Sequence, residues 1–146
     1  MAEAVRSVQY YHVTVPDKPG AGASVLQRLK EAGVNLVAYL GFPSGRGKSQ
    51  IDLVPEEVES FKEAARRARL KLSRAKRAFL IQGDDRTGVM ADLTRKLANA
   101  KVNVTAAAAA AAGDGRYGMI LWVAPRDFAK ASKALGVQAS RPLEVL

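Results

Sequence analysis

Two short loops carry the residue types and spacing in this sequence that suit ligand chemistry. Residues 17–20 read Asp-Lys-Pro-Gly before one helical pattern, and residues 85–88 read Asp-Arg-Thr-Gly before another. A helix N-terminus presents unpaired N–H groups and a partial positive charge, so it attracts a carboxylate. The glycine of each loop lets a ligand approach the backbone because it has no Cβ, and the Lys or Arg adds a cation. Each loop could therefore bind a small carboxylate.

An asparagine follows each helical pattern, Asn35 in one case and Asn103 in the other. The side-chain amide carries a donor and an acceptor, which suits it to hold the ammonium and carboxylate of a free amino acid. The same residues also have a structural explanation, in which Asp caps the helix, Gly makes the turn and Asn begins a strand. Residue types alone leave both explanations open.

Motifs for catalysis or cofactor binding fail on their spacing. Residues 41–49 (GFPSGRGKS) resemble a phosphate-binding P-loop, but Phe42 stands where that motif needs Gly. Gly20-Ala21-Gly22 precedes a helix as in a dinucleotide site, but Val25 replaces the third glycine. The absence of cysteine and the single histidine, His12, exclude thiolate catalysis and a multi-histidine metal site within one chain. We therefore expect a protein that is not an enzyme and uses no cofactor or metal.

The two loops belong to a repeat of the chain with an offset of 68 residues. This offset superimposes residues 34–36 (VNL) on residues 102–104 (VNV), and Leu29 on Leu97. After a gap of two residues, Pro55 falls on Pro125. Charges, glycines, asparagines and apolar positions all match, which indicates two copies of one unit.

Each copy predicts the same order of elements. A β-branched and aromatic strand leads through the loop into an amphipathic helix, and two strands joined by a Gly-rich turn, a second helix and a last strand follow. The strands are expected near 10–15, 35–42, 48–54 and 70–74, and near 79–81, 103–112, 116–123 and 137–145. The order βαββαβ occurs twice, which predicts an α+β protein of two ferredoxin-like units packed together, with domains at 8–75 and 76–146.

The residue types at 106–112 favour a helix, whereas the repeat predicts a strand there. They are seven consecutive alanines, and alanine is the best helix former and a poor strand former. The repeat aligns the run with a strand of the first copy, and a Gly-Asp-Gly turn follows it. We therefore expect a strand.

The segments VTVPDKPGAGASVLQRLKEAGVNLVAYLGF and IQGDDRTGVMADLTRKLANAKVNVTA resemble the ACT domain family. ACT domains are small βαββαβ regulatory modules, usually paired, that bind amino acids or similar effectors at domain interfaces. The resemblance covers nearly the whole chain and leaves no catalytic domain attached. It implies a non-catalytic sensor whose amino-acid effector controls a partner, such as a regulated enzyme.

The same resemblance implies the residues that contact the ligand. The D-x-P-G signature is clear in the first copy, whereas Thr87 replaces Pro19 in the second. In the first copy the implied contacts are Asp17, Lys18, Pro19, Gly20, Ala21, Asn35 and Leu36. In the second copy they are Asp85, Arg86, Thr87, Gly88, Val89, Asn103 and Val104.

The predicted third strand of the second copy is apolar on both faces. Met119, Leu121 and Val123 share one face, and Ile120 and Trp122 share the other. Helices cover only one face of a ferredoxin-like sheet, so the second face needs a cover from the other copy or from another subunit. We therefore expect Ile120 and Trp122 at an interface and the chain to form a homodimer.

The net charge of +9 favours anionic partners in general. One stretch, residues 66–77, is densely basic. It is either a solvated surface or a phosphate-binding strip, and the second interpretation needs aromatic side chains nearby.

RNA binding is the second hypothesis for function. RNA-recognition domains share the βαββαβ order and carry aromatic residues on their first and third strands. Residues 116–122 (RYGMILW) come near their third-strand signature, and residues 78–81 (AFLI) come near the first. Against this, the Lys/Arg-Gly step before Tyr117 is reversed, and Phe79 falls on the apolar side of its strand. A ligand-free scaffold that binds a partner protein is the third hypothesis.

The sequence shows no pattern for a membrane or for secretion. No apolar run approaches the ~18–20 residues of a membrane span. Residues 1–7 lack the basic and apolar pattern of a secretory signal. We expect a cytoplasmic protein.

Overall fold

A computed structural model describes residues 3–137 of the chain. The chain divides into two compact units. Within the described residues, the first unit is 9–76, and the second combines 3–8 with 77–137.

The first unit consists of a three-stranded sheet and two helices that share one hydrophobic core. The strand order is β2-β3-β1, and both pairs are antiparallel. Tyr11, Leu53 and Phe61 lie at the centre of its core, and Val25 and Leu29 of the first helix pack against them. The elements are β1 (Ala4–Pro16, of which 9–16 belong to this unit), α1 (Ala21–Glu31), β2 (Leu36–Gly45), β3 (Lys48–Pro55) and α2 (Val58–Arg67).

The second unit repeats this arrangement. Its strand order is β4-β6-β5, again with antiparallel pairs. It also includes the first residues of β1, where Val5 packs against its core. The elements are β4 (Lys76–Asp84), α3 (Val89–Asn99), β5 (Val104–Gly113), β6 (Arg116–Val123), a 3-10 turn (Pro125–Asp127) and α4 (Phe128–Leu135).

The strand registers confirm the repeat and the ferredoxin-like α+β fold. Val15 lies opposite Ser49 in the first unit, and Gly83 lies opposite Tyr117 in the second, 68 residues further on in both strands. The two-residue gap falls where the second unit has the 3-10 turn Pro125–Asp127. The insertion therefore lengthens the connection to α4 and leaves the sheet register unchanged.

The alanine run forms strand β5, as the repeat predicted. Alanines of this run pair in antiparallel register with β6, for example Ala107 with Leu121 and Ala109 with Met119. Strand preference depends on pairing and packing more than on the residue alone, so the hydrogen-bonded partner overrides the helical preference of alanine.

The predicted fourth strand of the first copy, at residues 70–74, is wrong. Ser73 N donates to His12 O at 2.9 Å, but His12 N donates to the Ser73 side-chain Oγ, also at 2.9 Å. A side chain thus takes the place of a backbone acceptor and the ladder does not continue. Leu70 and Leu72 still pack, half-buried, against the core. The corresponding prediction at 137–145 lies outside the described residues except for Val137, which is not in a strand.

The two predicted interface residues on the second face of β6 are buried. Ile120 is 5% exposed and Trp122 is 8% exposed. Their burial therefore does not by itself require a second subunit, and the homodimer stays a prediction. Across residues 3–137, no helix has both the length and the apolar character needed to cross a membrane.

Candidate functional site

The loop between β1 and α1 is built around Gly20. Gly20 is the N-cap of α1 and has φ of 88°, a left-handed conformation that a residue with a Cβ rarely adopts. Asp17 N donates to Gly47 O at 2.9 Å, and Ala21 N donates to Lys18 O at 3.3 Å. The first bond holds the loop against the β2–β3 turn, and the second closes a turn within the loop. The first N–H groups of α1, which lack acceptors within the helix, lie at its end.

The structural explanation in which the loop Asp caps the helix is wrong. Neither α1 nor α3 has a side-chain cap. Asp17 Oδ1 instead accepts a hydrogen bond from Ser49 Oγ of β3 at 2.9 Å. A carboxylate can accept several hydrogen bonds, so Asp17 can still receive a ligand donor.

An open pocket of about 260 Å³ lies beside this loop. Asp17 and Lys18 supply a carboxylate and an ammonium group to its wall. Tyr39 and Phe42 of β2 also line it, and they are 49% and 42% exposed. The full lining is Val15, Pro16, Asp17, Lys18, Gly22, Tyr39, Gly41, Phe42, Pro43, Ser49 and Ile51. Such a pocket offers groups for both charged ends and for the side chain of a small zwitterion.

Two small residues leave room for this pocket. Gly22 of α1 and Ser49 of β3 both line it. A Cβ on Gly22 would come within 3.2 Å of Ile51 Cδ1, so even one additional carbon is crowded there.

The second unit carries large residues at the same two positions. Tyr117 stands where the first unit has Ser49, and Met90 stands where it has Gly22. Tyr117 is 1% exposed, and a Cβ on Gly83 would lie 3.0 Å from its ring carbon Cε1. Met90 is partly buried against the same core. The loop is therefore repeated in the second unit, but the space beside it is taken by side chains.

The cation of the second loop already has an acidic partner. Arg86 forms a 2.7 Å ion pair with Asp92 in the first turn of α3. Its hydrogen bond to Asp92 raises the pKa of Arg86. The first turn of α1 contains no acidic residue, and among the described residues Lys18 forms no ion pair. Lys18 is thus the loop cation that can meet an anionic ligand.

Within one unit, the predicted asparagines do not reach the loops. Asn35 and Asn103 follow helices of 11 residues, which at about 1.5 Å per residue are about 16 Å long. Asn35 Nδ2 donates to Glu56 Oε2 at 3.1 Å, at the far end of α1. A ligand contact by either asparagine stays a prediction.

Several other residues predicted to contact the ligand do not line the pocket. Leu36 and Val104 pack half-buried against the cores of their units, and the side chain of Val89 is buried. Pro19 and Thr87 are exposed. Of the implied ligand contacts, Asp17 and Lys18 are the two that line the pocket.

Sequence reasoning missed the wall that the β2–β3 hairpin contributes. The tight turn at residues 45–47 sets the register that places Pro43 opposite Ser49 and Gly41 opposite Ile51. Alternate residues of a strand share a face, so Tyr39, Gly41 and Pro43 lie together. Two aromatic residues around a Gly-Pro-rich strand end were the available signal.

The single histidine belongs to a separate polar group in the first unit. His12 is half-buried, and its Nδ1 lies 2.9 Å from Lys76 Nζ. Asp52 faces His12 in the strand register, is buried and accepts from Gln50 Nε2 at 2.9 Å. Burial and the neighbouring Lys76 lower the pKa of His12, and Asp52 partly opposes them.

No family model matches the sequence, and no curated protein matches it. Solved structures do match. Protein BT0572 from Bacteroides thetaiotaomicron is 13% identical with a TM-score of 0.76, over 90% of this chain and 88% of that one. The ligand-free regulatory subunit of aspartate kinase from Thermus thermophilus is 18% identical with a TM-score of 0.63, over 93% and 95% of the two chains.

A putative C-terminal regulatory domain of aspartate kinase from Porphyromonas gingivalis W83 also matches. It is 12% identical with a TM-score of 0.51, over 92% of this chain and 94% of that one. At such identities the likeness concerns the fold. The chain is a tandem pair of ferredoxin-like units, as its sequence predicted, and its fold is similar to that of these regulatory subunits and domains.

Proposed function

We propose that this chain is a non-catalytic regulatory protein whose first unit binds a free amino acid in the pocket beside residues 17–20. The observation that carries the proposal is the open pocket itself, in which Lys18, Asp17 and the start of α1 surround about 260 Å³. The similar solved structures, described as regulatory subunits or domains of aspartate kinase, support a regulatory role.

Each end of an amino acid has a partner in this pocket. The α-carboxylate is held by Lys18 and by the free N–H groups at the start of α1, where the helix dipole is positive. The ammonium donates to Asp17, which Ser49 holds in place. The side chain lies against the exposed ring of Tyr39.

The expected affinity is modest. Charge-assisted hydrogen bonds contribute about 1.5–3 kcal/mol each, and ordering the ligand costs part of that gain. A few such bonds give a Kd of about 1 μM to 1 mM. This range would let the protein respond to changes in a metabolite pool.

Regulation follows from linkage. The ligand connects the β1–α1 loop with the β2–β3 hairpin, so it stabilises one arrangement of these two segments. A partner that binds that arrangement more tightly, such as a regulated enzyme, is coupled to the effector by the same free energy. A homodimer of this chain is the expected assembly.

A thermal-shift screen against the twenty amino acids at millimolar concentration tests the proposal. A ligand that binds the native state alone raises the unfolding temperature. We expect a concentration-dependent rise for one or a few amino acids. Lys18→Ala should weaken the binding at least tenfold, whereas Lys30→Ala, which removes an exposed lysine from the last turn of α1, should leave it unchanged.

A flat panel, or equal binding by the Lys18→Ala and Lys30→Ala variants, would contradict the proposed site. A flat panel would also favour the partner-binding scaffold. Asn35→Ala is a further variant for the screen, because unchanged binding would remove Asn35 from the ligand contacts.

RNA binding receives less support from the structure. RNA-recognition domains stack bases on exposed aromatic rings of the first and third strands. Phe79 and Tyr117, the candidate rings, are buried, and Phe79 stacks on Phe128 with ring centroids 4.4 Å apart. These rings cannot receive a base without unpacking the core.

A further inference from the structure

A second pocket, of about 450 Å³, lies in the first unit between α2 and residues 70–75. It is found where the predicted fourth strand fails. Residues 70–74 bond to β1 at Ser73 and do not continue as a ladder. The segment thus passes α2 without closing the space beside it.

The floor of this pocket is apolar. Tyr11, Ala65, Leu70 and Leu72 line it, and the first two are buried members of the unit's interior. The Tyr11 hydroxyl already donates to Gln9 Oε1 at 3.2 Å. The floor therefore offers its carbon surface and leaves no buried polar atom of Tyr11 to satisfy.

The rim of the pocket is cationic. Lys62, Arg66 and Arg74 line it, and no acidic residue does so. Arg66 is bound by Glu63 at 2.6 Å. Within residues 3–137, Lys62 and Arg74 have no carboxylate partner. Two positive charges therefore stand uncompensated beside an apolar floor.

We propose that this pocket binds an organic anion with an apolar body, such as an aliphatic or aromatic monocarboxylate. The floor removes the body from water, and Lys62 and Arg74 hold the charged head. An inorganic anion gains nothing from the floor, and a neutral apolar molecule gains nothing from the cations. A free amino acid fits poorly, because no carboxylate lines the pocket to receive its ammonium.

This site also explains part of the dense basic stretch at residues 66–77. Arg74 and Arg66 of that stretch line the pocket, whereas Arg69 and Lys71 do not. The pocket shares no lining residue with the one beside residues 17–20, so the two sites can be tested independently.

Fluorescence of 1-anilinonaphthalene-8-sulfonate, an aromatic sulfonate, tests the proposal on the full chain. We expect saturable binding to the native protein, displacement by octanoate, and no displacement by acetate or sulfate. The double variant Lys62→Ala/Arg74→Ala should weaken dye binding at least tenfold. The matched double variant Arg69→Ala/Lys71→Ala, which removes the same charge, should change it less than twofold.

A further variant blocks the pocket without a change in the core. Ala75 is exposed and lines the pocket, so Ala75→Phe should abolish dye binding while the urea unfolding midpoint stays within error of the wild type. Equal binding of the neutral dye N-phenyl-1-naphthylamine would overturn the proposal. Equal losses in the two double variants, or no saturable binding by the folded protein, would also overturn it.

Discussion

The packing of Tyr117 over Gly83 can be tested by adding a single methyl group. In Gly83→Ala the new Cβ would lie 3.0 Å from Cε1 of Tyr117 and 3.0 Å from Cγ of Glu3. The Glu3 side chain can rotate away, whereas the Tyr117 ring is 1% exposed and enclosed by the core. Overpacking of this kind costs about 1–3 kcal/mol. Alanine recovers about 0.5–1 kcal/mol over glycine within a strand, so the net loss should be about 0–2.5 kcal/mol.

A double-mutant cycle assigns that loss to the ring. Gly118→Ala is the matched control, because Gly118 lies in the neighbouring strand and its Cβ would meet nothing within 4 Å. We expect Gly118→Ala to be neutral or stabilising. Tyr117→Ser is destabilising by itself, but in its background Gly83→Ala should behave like Gly118→Ala.

Equilibrium urea unfolding followed by Trp122 fluorescence measures each corner of the cycle. The free energy of unfolding should show a coupling of about 1–3 kcal/mol between Gly83→Ala and Tyr117→Ser. Equal effects of Gly83→Ala and Gly118→Ala in the presence of Tyr117 would refute the predicted contact between the new Cβ and the ring. A cost of Gly83→Ala that persists in the Tyr117→Ser background would refute it as well.

Three further predictions concern single groups. The pKa of His12 is lowered from its ordinary 6.5, mainly by burial. The free energy of unfolding of the first unit should therefore fall as the pH drops below 6.5. Urea unfolding at a series of pH values should show this slope in the wild type and not in His12→Gln. Burial raises the pKa of Tyr117 above its ordinary 10.0, so stability should fall as pH rises above 10.0. Tyr117→Phe should remove that alkaline slope and, because the hydroxyl is buried without a partner in the described chain, unfold no earlier in urea than the wild type. Gly20→Ala and Gly88→Ala should each lower the free energy of unfolding in urea by about 1–2 kcal/mol. Both N-cap residues have φ above 80°, and a Cβ would meet no neighbouring atom within 4 Å, so the cost comes from the backbone conformation alone. A gain in stability at either position would contradict this.

The repeat could be recognised from the sequence because specific residue types mark the turns and loops of each unit. Turns at residues 45–47 and 113–115 need left-handed backbone, and glycines mark both ends of each. The same glycine signals set the loop before each first helix. With these points fixed, the 68-residue offset determined even the alanine strand, whose own residues favour a helix.

The fourth strand could not be predicted reliably. Leu70 and Leu72 alternate with polar residues, which correctly indicates an extended segment with one face on the core. Alternation reports which side chains are buried and says nothing of where the backbone bonds go. At Ser73 the side-chain hydroxyl competes with the backbone as the partner of His12. That competition depends on atomic positions that a pattern does not contain.

The sequence predicted the polar groups of the candidate site but not the open space beside them. Its polar groups, Asp17 and Lys18, were found from their place before a helix. The open space beside them depends on Ser49 and Gly22, which are 32 and 5 residues away from Asp17 in the chain. Their importance appears once the hairpin register places them on one wall. The large residue Tyr117 at the position that matches Ser49 then distinguishes the two units.

The most direct test of the central claim is an amide-resolved NMR titration of the protein with the amino acid that gives the largest thermal shift. We expect saturable shifts at Gly20, Gly22 and Ser49, with Gly88 and Tyr117 unchanged, and loss of these shifts in the Ser49→Tyr variant. Shifts centred on the second loop, or no saturable shift at the first loop with any amino acid, would contradict it.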